Sequence, residues 1–221
     1  AVVALRNSSH LGRIGTYGEQ TVRAGYASVH FVNVADHAAL QAVHGAREAR
    51  LGTNPFCAAV PCQEDVEDDR WVVLDMATSN IALGKARVAR NKGVFLDDGC
   101  MIDGDGKPTN DPRPMVDDKI GALLPFGGHK GSGLAIVCEL LAGGLTGGTS
   151  IQPENRRHGG IVNNMLSIII SPSALGQTSL VLNEINAVQD WVKAAAVAPG
   201  HDSVLVPGEP EKIAKGYRLE H

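Results

Sequence analysis

His10 is the residue of this sequence best placed for proton transfer. It follows an apolar run at residues 1–6 that predicts a buried strand, and it stands in the segment Asn7-Ser8-Ser9-His10-Leu11-Gly12. Ligands of α/β proteins bind beyond strand ends, and imidazole is the side chain that most readily exchanges a proton near neutral pH. His10 is therefore a candidate general acid–base. A structural histidine in the loop after the strand explains the same pattern.

A glycine-rich segment, residues 127–133, is the second candidate, and we call it the glycine loop. Glycines at 127, 128, 131 and 133 let the backbone approach a ligand, and an apolar helix is predicted over residues 134–145. The amides at the start of that helix and the ammonium group of Lys130 suit a phosphate or a carboxylate. The segment matches neither a Walker A loop nor G-x-G-x-x-G. An ordinary strand-to-helix turn is the alternative interpretation.

The third segment, Asp75-Met76-Ala77-Thr78-Ser79, lies between a predicted strand at 71–74 and a predicted basic helix at 79–92. Thr78 or Ser79 is expected to cap this helix, and capping alone would explain both residues. The remaining histidines show no metal-ligand spacing, and the four cysteines form no CxxC pair, so we predict no metal site and reduced thiols.

Bulk properties narrow the class of protein. The chain has 221 residues, 43% of them hydrophobic and 20% charged, which is typical of a folded globular protein. A net charge of -4 gives no general attraction for nucleic acid or anionic membranes. No apolar run is long enough for a membrane span, and no signal peptide is visible. These features predict a cytoplasmic protein that binds neither nucleic acid nor membrane.

The elements needed to position these segments alternate between strands and helices, which predicts a layered α/β domain. Further strands are predicted at 28–34, 56–61, 165–170 and 203–206, and further helices at 12–24, after 207–210, and in a long segment ending near residue 196. Asn7, Ser8 and Ser9 are expected to cap the helix at 12–24. Val181, Ile185, Val188 and Val192 predict the buried face of the long helix. Residues 64–69 predict a solvated hairpin tip, and residues 97–118 a surface excursion.

Taken together and in order, these segments resemble the malate/L-lactate dehydrogenase family over almost the whole chain. The shared motifs are Asn7 to Gly12, Leu51-Gly52-Thr53-Asn54-Pro55, Leu74 to Ser79 with Gly84-Lys85, Asp103 to Pro112, Leu124 to Gly131, and Val206-Pro207-Gly208-Glu209. Arg13-Ile14-Gly15 and His30-Phe31-Val32-Asn33-Val34 are most similar to a bacterial hydroxycarboxylate dehydrogenase branch.

The resemblance implies an α/β fold with three layers around a mixed β-sheet, distinct from the Rossmann fold, in a homodimer. It also implies NAD or NADP as the cofactor, with NAD favoured. His10 would be the proton acceptor and donor. The cofactor contacts carried over by motif are Asp75, Met76, Ala77, Thr78, Ser79, His129, Lys130, Asn163, Pro207, Gly208, Glu209 and Pro210. Asn164 matches the same weaker position as Asn163.

The implied function is hydride transfer between NAD(P) and C2 of a small 2-hydroxy or 2-oxo acid, such as malate, lactate or a related hydroxycarboxylate. The alternative is a non-catalytic nucleotide- or anion-binding protein that uses only the glycine loop. The family carries an N-terminal Ser-His-Gly-x-x-Arg segment, whose Arg is thought to hold the substrate carboxylate, and this sequence lacks it. We therefore expect residues 1–218 to be an NAD(P)-binding and catalytic region without the N-terminal part of the family fold. Residues 219–221 are expected to be a tag remnant, and this chain alone is expected to be inactive, although Arg6 or Arg13 would be available to the carboxylate.

Overall fold

A computed structural model describes residues 1–62, 70–155 and 159–220. Within these ranges the fold is built on two five-stranded sheets. The large sheet contains β1 (Val2–Ser8), β2 (Ala27–Ala35), β5 (Phe56–Val60), β6 (Val72–Met76) and β10 (Val162–Ile170). Its order is β1-β10-β2-β5-β6, and each neighbouring pair is antiparallel. The small sheet, in the order β4-β3-β9-β7-β8, contains β3 (Gln41–Ala42), β4 (Ala49–Leu51), β7 (Met101–Ile102), β8 (Pro108–Thr109) and β9 (Ala122–Leu123). It is mixed, because β3 and β9 are parallel.

Helices cover both faces of the large sheet. Side chains alternate along β2 between the two faces of the sheet. On one face, Val32 packs in a cluster with Val22 of helix α1 (Gly15–Arg23) and with Ile14, the N-cap residue of that helix. Asn33, pointing the other way, donates a hydrogen bond to Glu139. Glu139 begins a π-helical segment (Glu139–Leu145) that continues helix α4 (His129–Cys138). These three layers confirm the predicted α/β class, and the antiparallel large sheet is unlike the parallel sheet of a Rossmann fold.

A second apolar core lies beneath the small sheet. It contains Ala86 of helix α2 (Leu83–Lys92) and Met115 of the short helix α3 (Arg113–Val116), together with Cys100, Met101 and Leu123. Met101 is fully buried, so the prediction of a surface excursion over residues 97–118 was wrong for this part. The reason is that two-residue strands are too short to show an alternating pattern.

The prediction of a buried strand at residues 1–6 was also wrong. Strand β1 is exposed along most of its length, with 69% of Val2 and 49% of Val3 accessible. It lies at the edge of the large sheet and pairs with β10. Its apolar side chains therefore find no cover within the described residues.

The C-terminal part consists of α5 (Thr178–Lys193) and α6 (Glu209–Glu220), with short 3₁₀ turns at Pro153–Asn155 and Pro172–Ala174. On α5, Val181, Ile185 and Val192 are half-buried as expected, but Val188 is exposed. Residues 203–206 form no strand and lead directly into the turn before α6.

Within the described ranges, no helix combines the length and apolarity needed to cross a membrane. The predicted hairpin tip at 64–69 lies outside the described residues.

Candidate active site

His10 lies two residues beyond β1, with its side chain exposed. Its Nδ1 accepts a hydrogen bond from the Gly12 amide at 2.9 Å, so the neutral ring carries its proton on Nε2. The backbone on both sides of His10 is held by strand β10. The Asn7 amide donates to Oδ1 of Asn164 at 2.7 Å, and the Leu11 amide donates to Oδ1 of Asn163 at 2.9 Å. The structure thus presents an imidazole to solvent from a loop that is fixed at both flanks.

Asn163 is buried, and its side chain is used by the protein itself. Besides accepting from Leu11, its Nδ2 donates to the backbone oxygen of Asn33 at 3.0 Å. The sequence predicted Asn163 as a cofactor contact. The structure places it beneath the His10 loop, where it holds the loop, and its contact with a cofactor stays a prediction.

Asp75, at the carboxyl end of β6, lies at the start of α1. Its Oδ2 accepts a hydrogen bond from the Gly15 amide at 2.7 Å. This carboxylate, from a strand distant in sequence, thus provides an acceptor for an amide in the first turn of α1 that has no partner within the helix. Asn7, Ser8 and Ser9, which were expected to cap that helix, do not do so, because its N-cap residue is Ile14. Burial raises the pKa of Asp75, against the opposing effects of the Gly15 amide and the guanidinium of Arg13.

Arg13 is itself paired, since its guanidinium contacts the carboxylate of Glu19. This pairing makes it a poor candidate for binding a substrate carboxylate. Arg6, the other arginine considered from the sequence, lies on the exposed strand β1.

The remainder of the 75–79 segment divides into an accessible and an enclosed part. Met76 and Ala77 are half-buried, whereas Thr78 and Ser79 are buried. The hydroxyl group of Thr78 donates to the Thr53 carbonyl oxygen at 2.8 Å, and that of Ser79 donates to the Ile81 carbonyl oxygen at 2.8 Å. Neither residue caps α2, which begins later, at Leu83, so that expectation was wrong. Their hydroxyl groups serve to fix this segment.

The glycine loop packs directly on the 75–79 segment. A Cβ atom on Gly131 would lie 2.5 Å from the Phe126 carbonyl oxygen and 2.7 Å from that of Thr78, a space that only glycine fits. Gly127 and Gly128 adopt φ values of 54° and 61°, in the left-handed region that favours glycine. The glycines at 127 and 128 therefore allow the turn of the loop, and the missing side chain at 131 allows its close contact with Thr78.

Most of the backbone amides at the start of α4 that were expected to bind an anion instead donate hydrogen bonds to nearby carbonyl oxygens. The amides of Lys130, Gly131 and Ser132 donate to carbonyl oxygens of Gly127, Phe126 and Gly128 respectively. The side chains of His129 and Lys130 remain exposed at this helix start. Anion binding here would thus depend mainly on the ammonium group of Lys130.

Two cavities adjoin opposite ends of the segment from Asp75 to Asn80. The first, of about 390 Å³, is lined by Asn80, Gly127, Gly128 and His44, whose ring centroid is 6.0 Å from that of His129. The second, of about 280 Å³, is lined by Asp75, Glu211 and three residues of the predicted cofactor turn, Pro207, Gly208 and Pro210. Five residue steps of chain span at most roughly 16 Å. The structure thus brings the glycine loop to the first cavity, and Asp75 and the predicted cofactor turn to the second.

Glu209, the remaining residue of that turn, does not line this second cavity. Its carboxylate contacts the ammonium group of Lys193 and accepts from the Val206 amide at 2.9 Å. Burial acts to raise the pKa of Glu209, but these two hydrogen bonds lower it overall. Glu209 also lines a separate cavity of about 520 Å³ beside Trp71, whose ring is covered by the ammonium group of Lys212 at 4.4 Å. Its carboxylate therefore stabilises the turn.

The sequence did not identify three buried polar residues behind the site: Asn33, Asn54 and Glu139. Asn33 lies between two valines, and Glu139 interrupts an otherwise apolar helix, which is the signal that could have found these two. In the part of the chain that the structure describes, no group of three histidine, cysteine, aspartate or glutamate side chains is arranged to hold a metal ion.

Comparison with known proteins identifies the family. The model of the malate/L-lactate dehydrogenase family matches residues 1–221. The chain belongs to the malate/L-lactate dehydrogenase family. It is 44% identical to an L-lactate dehydrogenase of Cupriavidus necator over 95% of the chain and 59% of that protein. It is 43% identical to hydroxycarboxylate dehydrogenase B of Escherichia coli K12 over 96% of the chain and 57% of that protein.

The fold agrees with a solved family structure. A malate/lactate dehydrogenase-type protein from Escherichia coli matches with a TM-score of 0.91 at 41% identity, covering all of this chain and 60% of that one. The chain therefore spans about three fifths of the length of these malate/L-lactate dehydrogenase relatives.

Membership of this dehydrogenase family implies a nicotinamide cofactor. The residues present fit an elongated dinucleotide. Two cavities lie at the ends of the Asp75–Asn80 segment, with the exposed Lys130 at the glycine loop and two carboxylates, Asp75 and Glu211, at the other end.

Proposed function

We propose that the protein transfers a hydride between NAD(P) and C2 of a small 2-hydroxy or 2-oxo acid, such as malate, lactate or a related hydroxycarboxylate. The observation that carries this proposal is the exposed imidazole of His10 on a loop fixed at Asn7 and Leu11, in a chain that matches the dehydrogenase family throughout. The names of the relatives, a lactate and a hydroxycarboxylate dehydrogenase, support the substrate class.

The nicotinamide ring supplies or accepts the hydride. In the direction of reduction, the C2 oxygen of the substrate gains negative charge and takes a proton from Nε2 of the doubly protonated His10 ring, which is left neutral with its proton on Nδ1. In the direction of oxidation, the neutral ring accepts the hydroxyl proton at Nε2. Both directions require a proton on Nδ1, so in each the ring must give up the hydrogen bond that Nδ1 accepts from the Gly12 amide.

Lys130 would neutralise the cofactor phosphates, while the adenosine end would occupy the cavity beside Asp75 and Glu211. Carboxylates accept hydrogen bonds from the ribose hydroxyl groups of NAD and repel the 2′-phosphate of NADP. This acidic lining favours NAD. Lys130→Ala should weaken NADH binding about tenfold, as expected for one charge-assisted contact, whereas Lys107→Ala, in an exposed loop, should have no effect. An unchanged affinity for the Lys130 variant would remove this contact.

We also propose that the whole protein is a cytoplasmic homodimer. Support comes from the cysteines, all buried and unpaired as in reducing compartments. Exposed apolar side chains on β1 and α5, among them Val2 and Trp191 at 69% and 79%, are candidates for burial on assembly. Light scattering coupled to size exclusion would test the dimer, and a monomeric mass at micromolar concentration would contradict it.

The decisive experiment is a turnover assay of the full-length protein against a panel of 2-oxo acids, with NADH and NADPH in parallel. We expect oxidation of NADH with at least one short-chain 2-oxo acid, and weaker binding of NADPH. A protein that binds NADH but turns over no member of the panel would instead support the non-catalytic nucleotide-binding alternative.

A further inference from the structure

We propose that Glu139 is a positioning residue that anchors a buried chain of amides holding the His10 loop. The proposal rests on the proposed function only where it gives the loop a catalytic purpose. The chain itself consists of described contacts between Glu139, Asn33, Asn164 and the backbone of Asn7.

The hydrogen bonds of this chain all point the same way. The Asn7 amide donates to Oδ1 of Asn164 at 2.7 Å. Nδ2 of Asn164 donates to Oδ1 of Asn33 at 2.8 Å, and Nδ2 of Asn33 donates to Oε1 of Glu139 at 3.0 Å. Each bond polarises the next when the dipoles are aligned, so the carboxylate is the negative end of a one-way chain.

Three hydrogen bonds are donated to the side chain of Glu139. Oε1 also accepts from the Ile151 amide at 2.8 Å, and Oε2 accepts from Nδ2 of Asn54 at 2.8 Å. Each of these hydrogen-bond partners is a donor, which suits the acceptor oxygens of a carboxylate.

No amide of the chain can reverse without breaking further contacts. Nδ2 of Asn33 and Nδ2 of Asn164 also donate to the carbonyl oxygen of Thr149, at 3.0 and 2.9 Å. Asn54 is fixed in the same way, because its Nδ2 donates to the Ala135 carbonyl oxygen and its Oδ1 accepts from the Val34 amide. Reversing one side-chain amide would therefore set donors against donors.

Close packing keeps these asparagines in place. Asn33 and Asn164 are fully buried. A Cβ atom on Gly143 would lie 2.7 Å from Nδ2 of Asn33, and one on Gly148 would lie 2.2 Å from Oδ1 of Asn164. The chain is thus enclosed on the side of the π-helical segment by two glycines.

Glu139 is connected through this chain to the backbone on both sides of His10. One path ends at Asn7, and the other runs from the Asn33 backbone through Asn163 to the Leu11 amide. Glu139 also continues α4, the helix that begins at the glycine loop. A single buried carboxylate therefore connects the proposed acid–base loop with the proposed cofactor loop.

Glu139→Gln is the sharpest test, because it keeps the shape and replaces one acceptor with a donor. In this chain, without substrate, we expect amide hydrogen exchange at Asn7 and Leu11 to accelerate at least tenfold relative to Val73, whose amide bonds to Pro207 outside the chain of amides. Glu139→Asp keeps the charge and should restore part of the protection. Glu184→Gln, on the exposed side of α5, is the matched control and should change nothing.

In the full-length protein, Glu139→Gln should lower kcat at least tenfold while the KM for NADH changes less than twofold. Uniform acceleration of exchange at Val73 as well would mean a merely structural role, and unchanged exchange at Asn7 and Leu11 would overturn the proposal. If the Gln variant does not fold, side-chain amide exchange in the unaltered protein decides. Asn33 and Asn164 should be protected relative to the exposed Asn183, and equal rates would refute the chain. Because exchange needs no turnover, a failure of the proposed enzymatic function leaves this test intact.

Discussion

At the scale of single residues, the proposed chemistry depends on the ring of His10. Replacing it with asparagine keeps a polar side chain of similar reach but removes the proton carrier. In the full-length protein, His10→Asn should lower kcat by roughly 10²–10⁴, the usual contribution of general acid–base catalysis. The Kd for NADH should stay within twofold, because the cavities assigned to the cofactor are lined by other residues.

His201→Asn is the matched control for this prediction, since His201 is exposed and lies far along the chain from the site. A His10 variant that keeps its turnover but melts at a lower temperature would make His10 a structural residue of the loop.

His30 predicts a dependence of stability on pH. It is buried between the hydroxyl groups of Ser28 and Ser167, and burial lowers its pKa below the ordinary value of 6.5. The unfolded chain therefore takes up a proton below about pH 6.5 that the folded protein refuses, so this histidine makes folding less favourable as the pH falls. Above pH 6.5 both states are neutral at this residue and its effect vanishes.

The measurement is the free energy of unfolding by urea at pH 8, 6.5 and 5, for the unaltered protein and for His30→Gln. The stability advantage of the unaltered protein should shrink as the pH falls, whereas His201→Gln should follow the unaltered protein at each pH. A constant difference between the unaltered protein and the His30 variant would contradict the assignment.

At the scale of elements, α4 and the glycine loop offer a matched pair of substitutions. Gly131→Ala places a methyl group against the backbone of Phe126 and Thr78, so it should cost about 1–3 kcal/mol of unfolding free energy. Gly133, two residues along the same helix, has nothing within 4 Å of an added Cβ atom, so Gly133→Ala should stabilise by about 0.5–1 kcal/mol. Denaturation curves of both variants test the pair, and equal effects would refute the packing argument.

The longer elements could be predicted from the sequence, because each shows its own periodicity. The strand predicted at 28–34 is β2 at Ala27–Ala35, and the strand predicted at 165–170 lies within β10. The exposure of β1 could not be predicted, because an apolar run does not state its place in a sheet. For the site, the sequence predicted His10 and the glycine loop as candidates, and their roles stay predictions. It could not show that Asp75 stabilises α1, since that contact joins residues 60 positions apart.

At the scale of the whole molecule, the four cysteines should report global unfolding. All are buried, and burial raises the pKa of Cys57 and of Cys138 to about 12. Because the thiolate is the reactive form, the folded protein should react negligibly with a disulfide reagent at pH 8, and four thiols should titrate in guanidinium chloride. Rapid labelling of one thiol without loss of structure would contradict this expectation.

The π-helical segment Glu139–Leu145 has a consequence for how this chain tolerates insertions and deletions. A π-helix holds one residue more per hydrogen-bonded turn than an α-helix. Deleting one residue after Glu139 would remove this extra residue and shift Gly143 relative to Asn33, against which it packs. The exposed Leu140 and Leu145 are free to vary in side chain. In this stretch, the contacts of Glu139 and Gly143 with Asn33 therefore depend on the number of residues between them as well as on their identity.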